Sequence, residues 1–552
     1  MTTRFGADRL LLNGRIRTFD TATSTVQALA IRAGRILAAG SDSDLAELRS
    51  AHTEVEDLQG ATVVPGLIDA HNHFLNTSLV LRQVQLYAAR ALDDILRLVA
   101  ARAAAAAPGE WLVGRGWDET LLAEGRPPTR WELDAVAPDN PVVLHRVWNK
   151  LVANSAALAA AGVTRATPQP PSDERYAGSF DVDPASGEPT GLFRDRAKDL
   201  ILRAVPPPTA NELVEALRAG SRAYNATGIT SVAEPGLDPT GLRAFQQARE
   251  RGVLSVRTDM LLGAWGYAPA SREPELKRWI AELGVAGGFG DDWLRLAGVK
   301  FMLDGGVGDR TARLNQPYAA DPNSVGQWVV DPDEYPHLVE WVHRQGWTMD
   351  THTCGDAAQD LAVRAYAAAQ QAAPNPRLRH RIHHAYLPTT DALAVMARHQ
   401  IPALVSNPFI VHLGESFVLS LGAERAGRIM PMASYLRAGV PLVGSSDSPI
   451  ADFNPWVGMY AAVARRTIAG RELAAEERIA PEAALRSYTA TAAWALGLDG
   501  TRGTLTPGAL ADLVQLDRDP LGVSPEALRD TVVERTMVDG RWVYERGAEA
   551  EA

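Results

Sequence analysis

Gly66-Leu67-Ile68-Asp69-Ala70-His71-Asn72-His73 is the stretch that decides how this chain is read. An apolar run from Val63 to Ile68 leads into one acid and two histidines, so it reads as a short buried strand with a polar end. On a strand, side chains i and i+2 share a face. His71 and His73 therefore aim two imidazoles at one point where the strand gives way to a loop. Neutral imidazole is the commonest protein ligand for a zinc-class metal. An isolated His-x-His is more often a pair of surface histidines. What separates the two readings is whether later strands end in matching ligands.

Outward from this stretch, short apolar runs recur at Ile229 to Glu234, Leu254 to Leu262, Leu294 to Leu303, Trp347 to His352, His380 to His384, Ile401 to Ser406 and Val440 to Asp447. Helical patterns such as Ala210 to Asn225 and Glu334 to Arg344 lie between them. Strand and helix in alternation imply parallel βαβ units, and eight strands are the count of a (β/α)8 TIM barrel. The expected fold class is thus α/β, with the barrel spanning residues 66–495. That span exceeds the ~250 residues typical of such a barrel, and the excess falls after the first strand, at about 80–205. Residues 1–65 and 496–552 are rich in short strands with Asn-Gly, Ala-Gly and Asp539-Gly540 turn signals. Together they are expected to form one small composite β-sandwich domain from both termini.

In such a barrel the chemical groups sit at the C-terminal ends of the strands. The first strand ends in His71 and His73, the fourth carries Lys300, and the fifth ends in His352. The sixth ends in His383 and His384, and the eighth in Asp447. Each alone has a bland reading: a hydrogen-bonded structural histidine, a snorkelling lysine, an Asx turn in Ser445-Ser446-Asp447-Ser448. Their occurrence together, in order and on the right elements, argues for a metal centre at one barrel mouth.

Composition narrows the class. At 46 % hydrophobic and 22 % charged the composition is ordinary for a globular enzyme, and the net charge of −11 gives no support to nucleic acid or an anionic membrane surface as a partner. No apolar run approaches the roughly 20 residues of a membrane span. The N-terminal MTTRFGADRLLLNG lacks the features of a signal peptide. Cys354 is the only cysteine, which rules out an internal disulfide and a Cys-based structural zinc site and suits a reducing cytoplasm. Two residues past His352, it reads as a buried thiol rather than a nucleophile, having no identifiable base.

The chain resembles the amidohydrolase superfamily, and within it the amidohydrolase family 3 branch that includes N-substituted formamide deformylases. The resemblance covers nearly the whole length. It is carried by GLIDAHNH, the NSAAL of Asn154 to Leu158, PTGLFRD near Gly191, GVKFMLDGGVGDRTA from Gly298, THTCGDAA from Thr351, RIHHA from Arg381 and GSSDSPI from Gly444. It implies a metal-dependent hydrolase with one or two Zn2+ per chain. His71, His73 and Asp447 would hold the more buried ion, and His352 and His384 a second ion or the water and substrate. Lys300 stands where relatives carry a carboxylated lysine bridging two metals; an unmodified Lys300 is the alternative. Asp447 would be the proton shuttle, with His352 and His384 beside it in catalysis.

The substrate would be a small molecule with a non-peptide C–N bond of amide, N-formyl or carbamate type. A deaminase, an ester or lactone hydrolase, a decarboxylase and a silent scaffold are the alternatives. For substrate contacts the candidates are Trp117 in Gly116-Trp117-Asp118-Glu119, with domain core as the equal alternative, Arg310 as a planar clamp, with a loop-fixing salt bridge as its alternative, and His383. His383 departs from the branch, which usually has Glu there, and is expected to face a neighbouring helix rather than to stand behind the metal ligands. Asn149 departs likewise, falling where members often have histidine. The apolar helices leave room for a homodimer.

Overall fold

The computed structural model describes residues 6–20, 24–119, 121–146, 150–170, 178–263 and 273–548. Asn149 lies outside the described residues. The chain divides into two compact units, residues 1–76 with 220–552, and residues 77–219.

The first unit holds eight parallel strands: β1 (Leu67–Asp69), β2 (Ile229–Leu237), β3 (Arg257–Gly263), β4 (Leu294–Met302), β5 (Thr348–Thr353), β6 (Arg381–His384), β7 (Ala403–Ser406) and β8 (Leu442–Ser445). They pair in sequence order from β1 to β8. Helices follow the later strands, among them Pro239–Glu250, Asp356–Ala372, Thr390–His399 and Pro455–Ala464. The strands are covered on both faces and buried almost throughout; β3, β6, β7 and β8 are buried at every position. This is the (β/α)8 arrangement the sequence predicts.

Between β1 and β8 the described residues show no strand ladder. The Ile68 N–H instead donates to the Tyr488 carbonyl at 2.7 Å. The Tyr488 ring also lies where a Cβ on Gly444 would stand, 2.4 Å from its Cε2, so only glycine lets β8 pass. The seam is closed beyond the strand ends. Asp447 N–H donates to His71 O at 2.9 Å, and His73 N–H to Ser448 O at 3.0 Å. The candidate site residues are thus themselves the barrel's last stitch.

Both termini build a β-sandwich in this unit. One sheet runs Arg35–Gly40, Ala28–Arg32, Arg9–Leu12, Glu54–Asp57. The other pairs N-terminal Arg15–Arg17, Thr25–Val26 and Thr62–Pro65 with C-terminal Leu513–Leu516, Val533–Val538 and Arg541–Glu545. Leu11, Ile16, Ile31, Val63, Leu513 and Met537 fill the space between.

The second unit is a six-stranded sheet ordered Ser179–Val182, Pro189–Arg194, Lys150–Ala153, Val142–His145, Leu112–Arg115, Val84–Gln85. Leu92–Ala104 and Arg130–Val136 pack over one apolar cluster, and Ser155–Ala161 over another.

Candidate metal centre

At the mouth of the barrel, His71, His73 and Asp447 meet. Asp447 Oδ1 lies 3.0 Å from His71 Nε2 and 3.3 Å from His73 Nε2. One nitrogen of His71, one of His384 and a carboxylate oxygen of Asp447 all fall within 4.8 Å of one another. The His352 ring stands 4.4 Å from that of His384, edge to face. Lys300 Nζ reaches in from β4, 3.5 Å from His71 Nε2 and 3.2 Å from His383 Nδ1.

The backbone aims these groups by leaving ordinary strand geometry. His384 has φ +70° and Asp447 φ +56°, left-handed values that a non-glycine residue reaches only at a cost of order 1–3 kcal/mol. Asp69, fully buried, holds the turn on the β1 side. It accepts from Asn72 Nδ2 at 2.8 Å, from the Ser446 hydroxyl at 2.6 Å and from the Ser446 N–H at 3.0 Å. Burial still pushes its carboxyl up to about 6.

Burial sets the charge state of the cluster. It pulls His71 down to about 3 and His352 to about 4, and it lowers His383 and His384 well below the ordinary imidazole range. The Lys300 amine is lowered to about 8 by burial, against the opposing charges of Asp447 and Asp350. For Asp447, burial is the largest single influence and pushes up, but the attraction of His71, the hydrogen bonds from His71 and His73 and the charge of His384 together hold the carboxyl well below its ordinary range.

A proton count shows that the residues suit a divalent ion. Asp350 Oδ1 accepts Nε2–H of His383 at 2.6 Å, so His383 turns the lone pair of Nδ1 inward. That lone pair lies against His71 Nδ1, while His71 Nε2 faces the Asp447 carboxylate. Two acceptors flank His71, and a neutral imidazole has one N–H to give. One of the two contacts is therefore short of a proton from His71, and a positive charge is called for beside it; Lys300 Nζ stands 3.5 Å from His71 Nε2. A cation shared by His71 Nε2 and Asp447 meets the same need and leaves the N–H for His383. Buried neutral imidazoles and an ionised carboxylate are the donors a zinc-class ion takes.

Of the three residues read as substrate contacts, two are buried and one is exposed. His383 does not face a helix: it is fully buried in the barrel interior among His71, Lys300 and Asp350. Strict strand alternation sends neighbours 383 and 384 to opposite faces, but the left-handed φ at His384 breaks the alternation, and His384 joins His71 and Asp447. Trp117 is fully buried in the core of the 77–219 unit, with its indole N–H on Leu144 O at 3.0 Å, so it packs that core rather than contacting substrate. Arg310 is exposed in a tight turn whose backbone N–H returns to Val307 O.

The sequence reading missed the support beneath the site. Arg381 grips Asp350 through two 2.5 Å contacts, and Asp350 in turn holds His383. The signal was present: Arg381 and His383 stand two apart on β6, as His71 and His73 do after β1.

An eight-stranded barrel with histidines and a carboxylate gathered at its C-terminal mouth is the frame of a metal-dependent hydrolase. The chain belongs to the amidohydrolase family, whose model matches residues 54–544. It is 30 % identical over 531 residues to the putative amidohydrolase YtcJ of Bacillus subtilis, covering 94 % of this chain and 96 % of that one. It is 30 % identical over 551 residues to the N-substituted formamide deformylase of Arthrobacter pascens, covering 98 % of each. Among solved structures, a metal-dependent hydrolase from Pyrococcus horikoshii OT3 superposes with a TM-score of 0.76 at 27 % identity, over 94 % of this chain and 99 % of that one.

Proposed function

We propose that this amidohydrolase cleaves a non-peptide C–N bond of a small molecule, of amide, N-formyl or carbamate type, using zinc-class ions held by His71, His73, His352, His384 and Asp447. The observation that carries the reading is the proton deficit at His71, which a shared cation resolves. The likeness to the formamide deformylase over the full length supports the choice of bond. Such an ion, when bound, supplies Lewis acidity and a water whose pKa falls from 15.7 toward ~7.

The chain's own residues then have separate tasks. Asp447 is ionised and its side chain is 10 % exposed, so Oδ1 can take a proton from the attacking water and pass it to the leaving nitrogen. His352 and His384 are held in the neutral form by burial, so they offer lone pairs to an ion rather than act as acids. Lys300, lowered to about 8, has a sizeable neutral-amine fraction at neutral pH, the form that takes up carbon dioxide as a carbamate ligand.

Zinc-reconstituted protein, set beside chelator-treated protein, tests this on N-substituted formamides, amides and carbamates. Amine released in equal amount with carboxylate, or with bicarbonate and alcohol from the carbamates, and only with metal, is expected. Ammonia as the sole nitrogen product would make the chain a deaminase, and equal turnover after chelation would remove the metal.

A further inference from the structure

Cys354 is the chain's only cysteine, and the reaction above gives it no task. It follows directly on β5, so His352 and Cys354 stand two apart and point the same way, the spacing of His71 and His73 repeated. Its Sγ lies 3.4 Å from His352 Nε2. That sulfur, one nitrogen of His352 and one of His384 all fall within 4.8 Å of one another. A buried carboxylate fixes the placement. Asp304, fully buried, accepts the backbone N–H of Cys354 at 3.0 Å, of Gly355 at 2.7 Å and of Arg313 at 2.9 Å. The turn that carries the sulfur is thereby tied from below, and Cys354 is 3 % exposed, sealed from bulk oxidants.

We propose that Cys354 is a metal ligand, its sulfur completing with His352 and His384 a cation position beside that of His71, His73 and Asp447. The proposal rests on the reading of this barrel mouth as a metal centre and adds a donor to it. Binding would form a sulfur–metal bond and release the thiol proton to solvent, with no change of oxidation state. A sulfur donor would bias the position toward zinc-class ions and away from magnesium or calcium. The competing role is a plain buried thiol resting against His352 and the Tyr386 hydroxyl.

The test is the absorption spectrum of the full chain, stripped of metal and reconstituted with Co2+. A thiolate on cobalt gives an intense near-ultraviolet charge-transfer band that imidazole and carboxylate ligands do not. With one cysteine in the chain, such a band has a single source. The expected result is a band that saturates with added cobalt and is lost in Cys354→Ser, while the weaker visible bands of histidine-bound cobalt persist. Cobalt retained by the wild type without the band would overturn the Cys354 assignment and leave the metal centre standing, as would a band that survives in Cys354→Ser. No cobalt bound at all would overturn both. If Cys354→Ser folds poorly, the wild-type spectrum alone decides.

Discussion

His71 sits between two acceptors with one proton to offer, and that shortage organises the residues around it. Asp447 is the partner on the solvent side. Asp447→Asn keeps the shape and loses the proton-accepting oxygen, so it should fold normally and lose turnover by at least about a hundredfold, within the range of general acid–base assistance. Steady-state kinetics beside circular dichroism would check this; near-normal turnover would take the shuttle away from Asp447. His383 is the partner on the inner side, and it steers the His71 proton. In His383→Phe the shape is roughly kept and the acceptor is gone. Metal affinity measured by chelator competition should fall about 10–100-fold, the usual cost of losing a group that orients a ligand. Unchanged affinity with a lower melting temperature would make His383 a packing residue. At this scale the i, i+2 histidine pair was legible because strand geometry is local. The aim of His383 was not, because it depends on how β6 packs beside β5 and across from His71 and Lys300.

At the scale of elements, β2 shows how a strand end is tied to the chain after β1. Glu234 is 3 % exposed and accepts the Leu75 N–H at 3.0 Å. Burial pushes its carboxyl from the ordinary 4.5 up to about 8, against the pull of the Leu75 and Phe74 N–H groups. The folded state therefore holds a proton that the unfolded chain has released. The stability this gives is fully present below 4.5 and is lost as pH rises through about 8. Glu234→Gln keeps an acceptor oxygen and removes the titration. Its melting temperature should track the wild type below 4.5, exceed it by a growing margin as pH rises from 4.5 to about 8, and keep that margin above it. Parallel curves at every pH would show that Glu234 is ionised in the folded protein. The strands themselves were readable as apolar runs in the sequence. The missing ladder between β1 and β8 was not, because it turns on a carbonyl of Tyr488, more than 400 residues from Ile68.

At the scale of the first unit, the two chain ends depend on each other. Thr62–Pro65, just ahead of β1, pairs antiparallel with Leu513–Leu516. Arg257, at the start of β3 and fully buried, is held by Asp512 at 2.7 Å and 3.0 Å. Barrel and sandwich are joined by that ion pair. Asp512→Ala would strand a buried guanidinium, with Asp539 at 3.4 Å as the remaining carboxylate. Breaking such a pair costs about 3–5 kcal/mol, so denaturant unfolding should show a midpoint shifted accordingly. A loss under about 1 kcal/mol, the worth of an exposed pair, would mean that Asp539 takes over.

The sequence by itself determined the barrel, the composite sandwich and the set of polar strand ends, because hydrophobic periodicity and i, i+2 geometry are properties of short segments. It also carried the family resemblance, written in motifs from residue 66 to 450. Tertiary structure decided the rest. Only packing across β1, β4, β5 and β6 shows that His383 turns inward onto His71 and Lys300, that Asp350 and Arg381 stand behind it, and that Cys354 lies within bonding reach of His352. Those contacts join residues 31 to 312 positions apart, apart from the Cys354 contact with His352. Such distances in sequence carry no local signal, since the aim of each group is set by burial and by the φ of a strand end.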